Sequence, residues 1–183
     1  MLKNSGTKII KTERLVLRKF KMSDAEDFYN NVGSDKEVTK YVSWNNHESI
    51  DETRKILKKW ISNYKDDYNY NWVMELSDSK EVIGTITGVH VDYKNETCEI
   101  GYVISSKHWN QGYGTEALKS VINYLKNEGF KTIYAEYQRK NPASGRIMEK
   151  AGMEYEATLR NRIIDKSTGE YDDLLSYSII VDI

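Results

Sequence analysis

Three short stretches of this sequence hold residues whose types and spacing could do chemistry. In "WNQGYGTEALKSVINYL" (109–125), Gly112 and Gly114 stand directly before a run with helical spacing of apolar residues. The first amides of a helix lack internal partners, and the helix dipole favours negative charge there. Glycines at that point let a phosphate reach those amides with no side chain in the way. A plain tight turn accounts for the same glycines. In "CEIGYVI" (98–104), Glu99 is the one charge inside an apolar run. Apolar surroundings raise the proton affinity of a carboxyl group, which suits a proton acceptor; a solvent-facing or ion-paired strand glutamate is the competing reading. In "NPAS" (141–144), Asn141 stands where a helix is capped, ahead of Pro142 at the first helical position.

Other reactive types offer less. Cys98 is the one cysteine, so no disulfide framework forms within the chain and no cysteine cluster suggests zinc. Its place in a strand reads as burial. His47, His90 and His108 are scattered, which gives no support to a metal site, and none is expected. With 27 basic and 28 acidic residues among 183, the charge balance gives no cue for nucleic acid or an anionic membrane. The first residues lack a signal-peptide core, and no apolar run approaches the roughly 20 residues of a membrane span. The expectation is a soluble cytoplasmic protein, monomer or homodimer.

The elements that must position these stretches are legible from periodicity. "RLVLRKF" (14–20) alternates as a first strand. Ser23 or Asp24 is the expected cap of the helix that follows. The segment 35–48 reads as a loop or short helix. Residues 49–64 repeat apolar positions at helical spacing, with "KILKKW" as a solvated face. Then 71–77, 81–92 and 96–104 read as three antiparallel strands. A helix over 115–127 with Gly129 after it, a strand over 132–137, a helix from Pro142 to Gly152 and a terminal hairpin around "DKSTGE" complete the chain. The expectation is one α/β (α+β) domain over 1–183. Its sheet would be mixed and mostly antiparallel, with about six to seven strands flanked by helices.

Taken together, these stretches resemble the GNAT N-acetyltransferase superfamily, in particular its branch that acetylates the N termini of ribosomal proteins. That branch usually reads tryptophan, glycine, any residue, glycine, tyrosine, alanine, threonine, glutamate, alanine; "WNQGYGTEA" departs from it at Asn110 and Gly114. "TERLVLRKFKMSDAEDF", "EVIGTITG", "EIGYVIS", "NPASGRIMEKAGMEYEATLR" and "GEYDDLLSYSII" resemble further parts of the branch in the same order, across nearly the whole chain. The resemblance implies acetyl-CoA as the donor. Its pyrophosphate would lie on the amides of Gln111, Gly112, Tyr113, Gly114 and Thr115, and its pantetheine arm beside Tyr102, Val103 and Ile104 like an added strand. Asn141 would bond that arm, and Thr115 would cap the helix or touch a phosphate. Trp109 reads as packing.

The reaction so implied is attack of an amine on a thioester. The amine must be neutral, so a proton acceptor is needed, directly or through water. Glu99 matches the strand position of the catalytic glutamate in the superfamily's histone-acetylating members, although members vary in their base, and His90 could assist. Ser144 stands where the branch carries a serine, as the acid that protonates the departing thiolate. Acceptor choice would lie in 35–48, with Tyr41 and Trp44, and in 162–171, with Asp165 and Glu170, acids that suit a cationic amine. The acceptor implied is a protein N terminus of the ribosomal-protein type. A small amine (polyamine, aminoglycoside or amino acid) and a non-catalytic CoA-binding sensor are the alternatives.

Overall fold

The computed structural model describes residues 2–181. Among these residues eight strands form one sheet in the order β1-β2-β3-β4-β5-β6-β8-β7. They are β1 (Ile10–Lys11), β2 (Leu15–Arg18), β3 (Asn71–Leu76), β4 (Val82–Asp92), β5 (Thr97–Ile104), β6 (Thr132–Gln138), β7 (Glu154–Ile164) and β8 (Tyr171–Ile180). The count exceeds the expected six to seven because the two-residue β1 pairs with β2 and leaves no periodic trace in sequence. All pairings are antiparallel except β5 with β6.

Strand alternation divides the apolar residues between two faces. On one face Trp72, Met74, Cys98, Ile100, Ile133 and Ala135 pack with Leu118, Val121 and Leu125 of α4 (Tyr113–Glu128). Met148 of α5 (Pro142–Lys150) joins this core. On the other face Val73, Val82 and Val103 pack with Phe20, Phe28, Val32 and Leu57. Phe20 follows β2, and the others come from α1 (Ala25–Phe28), the π-helical turn Tyr29–Gly33 that continues it, and α3 (Ile50–Asn63).

Local signals explain most helix ends. Ser49 caps α3, its Oγ accepting from the Glu52 N–H. Lys55, Lys58 and Lys59 of "KILKKW" are exposed and Leu57 is buried, as amphipathic spacing requires. Asp35 caps the four-residue α2 (Lys36–Thr39), so the segment 35–48 is a short helix and a loop. Gly129 (φ 107°) and Gly152 (φ 89°) lie in the left-handed region and end α4 and α5. The expected cap at Ser23 or Asp24 is not formed. The Asp24 carboxylate instead accepts from the Lys21 N–H and pairs with the buried Arg18, whose guanidinium also meets Glu75. No helix among the described residues is long and apolar enough to cross a membrane.

Candidate active site

The parallel ladder between β5 and β6 has three rungs and ends at Glu99 opposite Tyr134. Beyond that point β5 runs on to Ile104 against β4, and β6 runs on to Gln138 against β8. The first turn of α5 stands at the gap between them. Tyr102 of β5 donates to the Ser144 carbonyl at 2.9 Å, and Tyr137 of β6 packs on Gly145, where a Cβ would lie 2.5 Å from the Tyr137 hydroxyl. The strands fork, and the fork opens a cleft of about 910 Å³.

Alternation sends the cleft's side chains to opposite faces of the sheet. Tyr102 and Ile104 point to the α4 and α5 side. Glu99, Glu136 and Gln138 point to the side of α2 and α3, where Tyr41 and Trp44 complete the lining. Charge divides in the same way. Arg146 and Lys150 of α5 line the first side, and Glu37, Glu99 and Glu136 the second.

On the α4 side, Gly112 occupies the N-cap position with φ 85°, a conformation that glycine adopts without penalty. The helix starts at Tyr113, two residues before the expected 115. The first bond of its ladder runs from the Glu116 N–H to the Gly112 carbonyl at 3.0 Å. The amides of Tyr113, Gly114 and Thr115 therefore precede the ladder. Thr115 is not the cap, but it lines the cleft. Gly114 is helical, and it is glycine for a different reason. A Cβ there would lie 2.7 Å from Ile104 Cδ1 and 2.9 Å from Ile147 Cδ1. Asn110, which replaces a glycine of the resembling pattern, has φ 60°, and asparagine is among the residues that tolerate this region best. The Trp109 indole donates to the Ile104 carbonyl, tying the loop to the end of β5.

Gln111, whose amide was the expected contact, turns its other polar groups to the protein. Its side chain donates to the Lys107 carbonyl, its own carbonyl accepts from Arg14, and it is not among the residues that line the cleft. Arg14 was not anticipated. It also pairs with Glu116 at 2.7 Å and lies 4.4 Å from the Tyr113 ring centre. Burial alone would push the Glu116 carboxyl up, but hydrogen bonds from Thr12 and from the Arg14 backbone and guanidinium hold it below the usual range. The start of β2 thus clamps the glycine loop from outside.

At the fork the Tyr102 hydroxyl is 2.9 Å from Ser144 Oγ. Burial pushes the Tyr102 phenol well above its ordinary range, against the opposing hydrogen bond with Ser144. Asn141 precedes α5 as expected, yet its side chain makes no capping bond, and it lines the cleft. Glu99 is largely shielded, its side chain 19% exposed. Burial, then the nearby Glu136, push its carboxyl up; His90 and the Tyr134 hydroxyl pull it down. Glu136, which the sequence did not single out, is also pushed up by burial, with Arg162 and His90 opposing. His90 Nε2 lies 3.7 Å from Glu99 Oε2.

The acceptor-side expectations divide. Tyr41 and Trp44 line the cleft, but Asp165 and Glu170 do not. The Asp165 carboxylate is consumed locally, accepting from Lys140 Nζ at 2.7 Å and from the Ser167 amide and hydroxyl, which hold it well below the usual range. Glu170 is exposed on the hairpin turn. The residue of that turn that does reach across is Lys166. Its Nζ donates to the carbonyls of Thr39 and Trp44 at 3.0 and 2.7 Å. Gln138 Nε2 adds a bond to the Tyr41 carbonyl at 3.2 Å. Cys98 is fully buried and its thiol is pushed up to about 12 by burial, which leaves it no nucleophilic character at neutral pH. Among the described residues no group of three or more His, Cys, Asp or Glu side chains could hold a metal ion.

Residues 14–154 match the family model described as an acetyltransferase (GNAT) domain. The chain is 34% identical over 173 residues to the uncharacterized N-acetyltransferase YoaA of Bacillus subtilis, covering 94% of this chain and 96% of that protein. It is 26% identical over 136 residues to the ribosomal-protein-serine acetyltransferase of Escherichia coli, covering 74% of each. Among solved structures, a ribosomal alpha-N-protein acetyltransferase in complex with coenzyme A superposes with a TM-score of 0.85. That match covers 96% of this chain and 99% of the other at 20% identity, a likeness of fold.

Proposed function

The chain belongs to the GNAT acetyltransferase family, and from that premise we propose that it moves an acetyl group from acetyl-CoA to a protein N terminus of the ribosomal-protein type. The observation that carries this reading is the fork. It holds Glu99 on one face of the sheet and the Tyr102–Ser144 pair on the other, with an open strand edge between them.

The donor's features have counterparts on the α4 side. The amides of Tyr113, Gly114 and Thr115 suit a pyrophosphate. Among the described residues the β6-facing edge of β5 beyond Glu99 has no partner strand, and the amide groups of a pantetheine arm would pair with it beside Tyr102, Val103 and Ile104. Asn141, free of a capping role, is in reach of the same arm. Bound there, the donor supplies an activated thioester carbonyl.

The chain's residues then handle two protons. Glu99, whose carboxylate is made more basic by burial and by Glu136, takes one from the acceptor nitrogen, directly or through water. The nitrogen attacks the thioester carbon and the carbon–sulfur bond breaks. Ser144 Oγ gives a proton to the departing sulfur and is reprotonated, through water, by the second proton that the nitrogen sheds as the amide forms; Tyr102 holds that hydroxyl in place. The acids Glu37, Glu99 and Glu136 suit an acceptor that arrives as a cation. The N terminus is favoured by the similarity to a ribosomal-protein-serine acetyltransferase.

One observation favours a small-amine acceptor instead: Lys166 ties the hairpin turn to segment 39–44 across the acceptor side. Incubation with labelled acetyl-CoA and a mixed panel, read by mass spectrometry, decides between them. Acetylated N-terminal peptides of ribosomal proteins support the first reading. Acetylation of polyamines, aminoglycosides or amino acids alone overturns it in favour of the second.

A further inference from the structure

The last strand of the sheet, β7, pairs with β8 on one side and, among the described residues, with no strand on the other. An open edge of eleven residues invites another chain, and proteins usually blunt such edges with charge and bulges. Here the charges have an order. Glu154 and Glu156 lie before the centre of the strand, Arg160 and Arg162 after it, and all four are exposed. Among the described residues the side chains of Glu154, Glu156 and Arg160 have no hydrogen-bond or ion-pair partner, while Arg162 acts on Glu136 through its charge.

We propose that β7 pairs antiparallel with β7 of a second copy of this chain, about a two-fold axis at Thr158. With Thr158 opposite itself, Glu156 of one copy faces Arg160 of the partner subunit, and Glu154 faces Arg162 of the partner subunit. Twofold symmetry repeats both pairs, so four ion pairs flank the axis. Charges that served only to keep copies apart would have no reason to be arranged symmetrically in position and oppositely in sign. Charges of one sign would repel a second copy, whereas these attract it in one register.

The irregularities of β7 fit the same arrangement. Its pairing with β8 shifts between Tyr155 and Ala157 and again between Leu159 and Ile163. Glu156 lies in the first irregularity, and Arg160 and Arg162 in the second. The second is pinned by the Asn161 amide, which donates to Asp173 Oδ1 at 2.9 Å. The acidic bulge of one copy meets the basic bulge of the other, and Ala157–Leu159 forms the regular centre between them. Tyr155 and Ile164, both more than half exposed, lie near the ends of the strand, where a second copy would cover them.

Sedimentation across a concentration series tests this on the full chain. The wild type dimerises. E154K/E156K and R160E/R162E each weaken the dimer by roughly a hundredfold or more, because each places like charges across the axis. An equal mixture of the two variants recovers a heterodimer, since one edge is then wholly basic and the other wholly acidic. Retained acetyl-CoA binding shows that each variant is folded. The proposal is overturned by a wild type that stays monomeric, by a dimer that neither reversal weakens, or by folded variants that do not recover when mixed.

Discussion

His90 stands opposite Glu99 because β4 carries one residue more than β5 between their flanking pairs. Gly88 pairs with Ile100, and the next pair is His90 with Glu99, so Val89 is extra. Regular pairing would have set Val89 against Glu99. Bulges re-aim side chains in this way, and this one brings an imidazole to 3.7 Å from the carboxyl at the fork.

The first prediction concerns that carboxyl. If Glu99 is the proton acceptor, Glu99→Gln lowers kcat by about 10²–10⁴-fold. In the wild type, activity rises with pH as Glu99 loses its proton above the ordinary carboxylate range. Because Glu136 pushes Glu99 up and His90 pulls it down, Glu136→Gln moves this limb to lower pH and His90→Ala moves it to higher pH. Stability follows the opposite sign. A carboxyl with raised proton affinity stabilises the fold while protonated, and that contribution is lost as pH rises through its titration. Thermal melts should therefore show Glu99→Gln at least as stable as wild type near neutral pH, with the advantage fading in acid.

The second concerns the hydroxyl pair. Ser144→Ala removes the proposed proton donor to sulfur, so kcat falls by about 10²-fold or more while KM for acetyl-CoA stays within about twofold. Tyr102→Phe leaves Ser144 unsupported and gives a smaller loss of kcat. Equal loss in KM for acetyl-CoA would assign the pair to donor binding instead. Steady-state kinetics on both variants separates the outcomes.

A third contrasts the two glycines. Gly112→Ala forces an L-residue to φ near 85° and costs about 1–2 kcal/mol of stability. Gly114→Ala sets a methyl against the tips of Ile104 and Ile147, flexible ends that can yield, so its stability cost lies at the low end of the roughly 1–3 kcal/mol for overpacking. Both isoleucines line the cleft, however, and their displacement narrows it. Denaturation paired with acetyl-CoA titration should find the larger stability loss in Gly112→Ala and a clear affinity loss in Gly114→Ala.

A fourth separates the two sides of the cleft. Arg14→Gln frees the glycine loop and raises KM for acetyl-CoA several-fold, leaving KM for the amine near its wild-type value. Lys166→Met unties segment 39–44 from the hairpin turn and does the reverse. Variation of each substrate at saturating levels of the other reads the split.

Much of this site was legible because its signals are local. Glycines before a helix, a lone glutamate in an apolar strand and a helix start at Asn141 are all visible in short windows. What escaped depends on registry between distant segments. Arg14 reaches the glycine loop across 97 residues of chain. Glu136 joins Glu99 only because two strands run parallel for three rungs before parting. The surroundings of Asp165 are of the same kind: the partner that consumes its carboxylate, Lys140, lies 25 residues away on another element. The eighth strand escaped because two residues cannot establish a period.

The fork has a kinetic consequence. Because its two mouths open on opposite faces of the sheet, each reactant has its own doorway and neither must leave before the other arrives. On the proposed reaction, both substrates are held at once and no acetylated form of the protein accumulates. Spent coenzyme A then competes with acetyl-CoA alone, and the acetylated product with the amine alone.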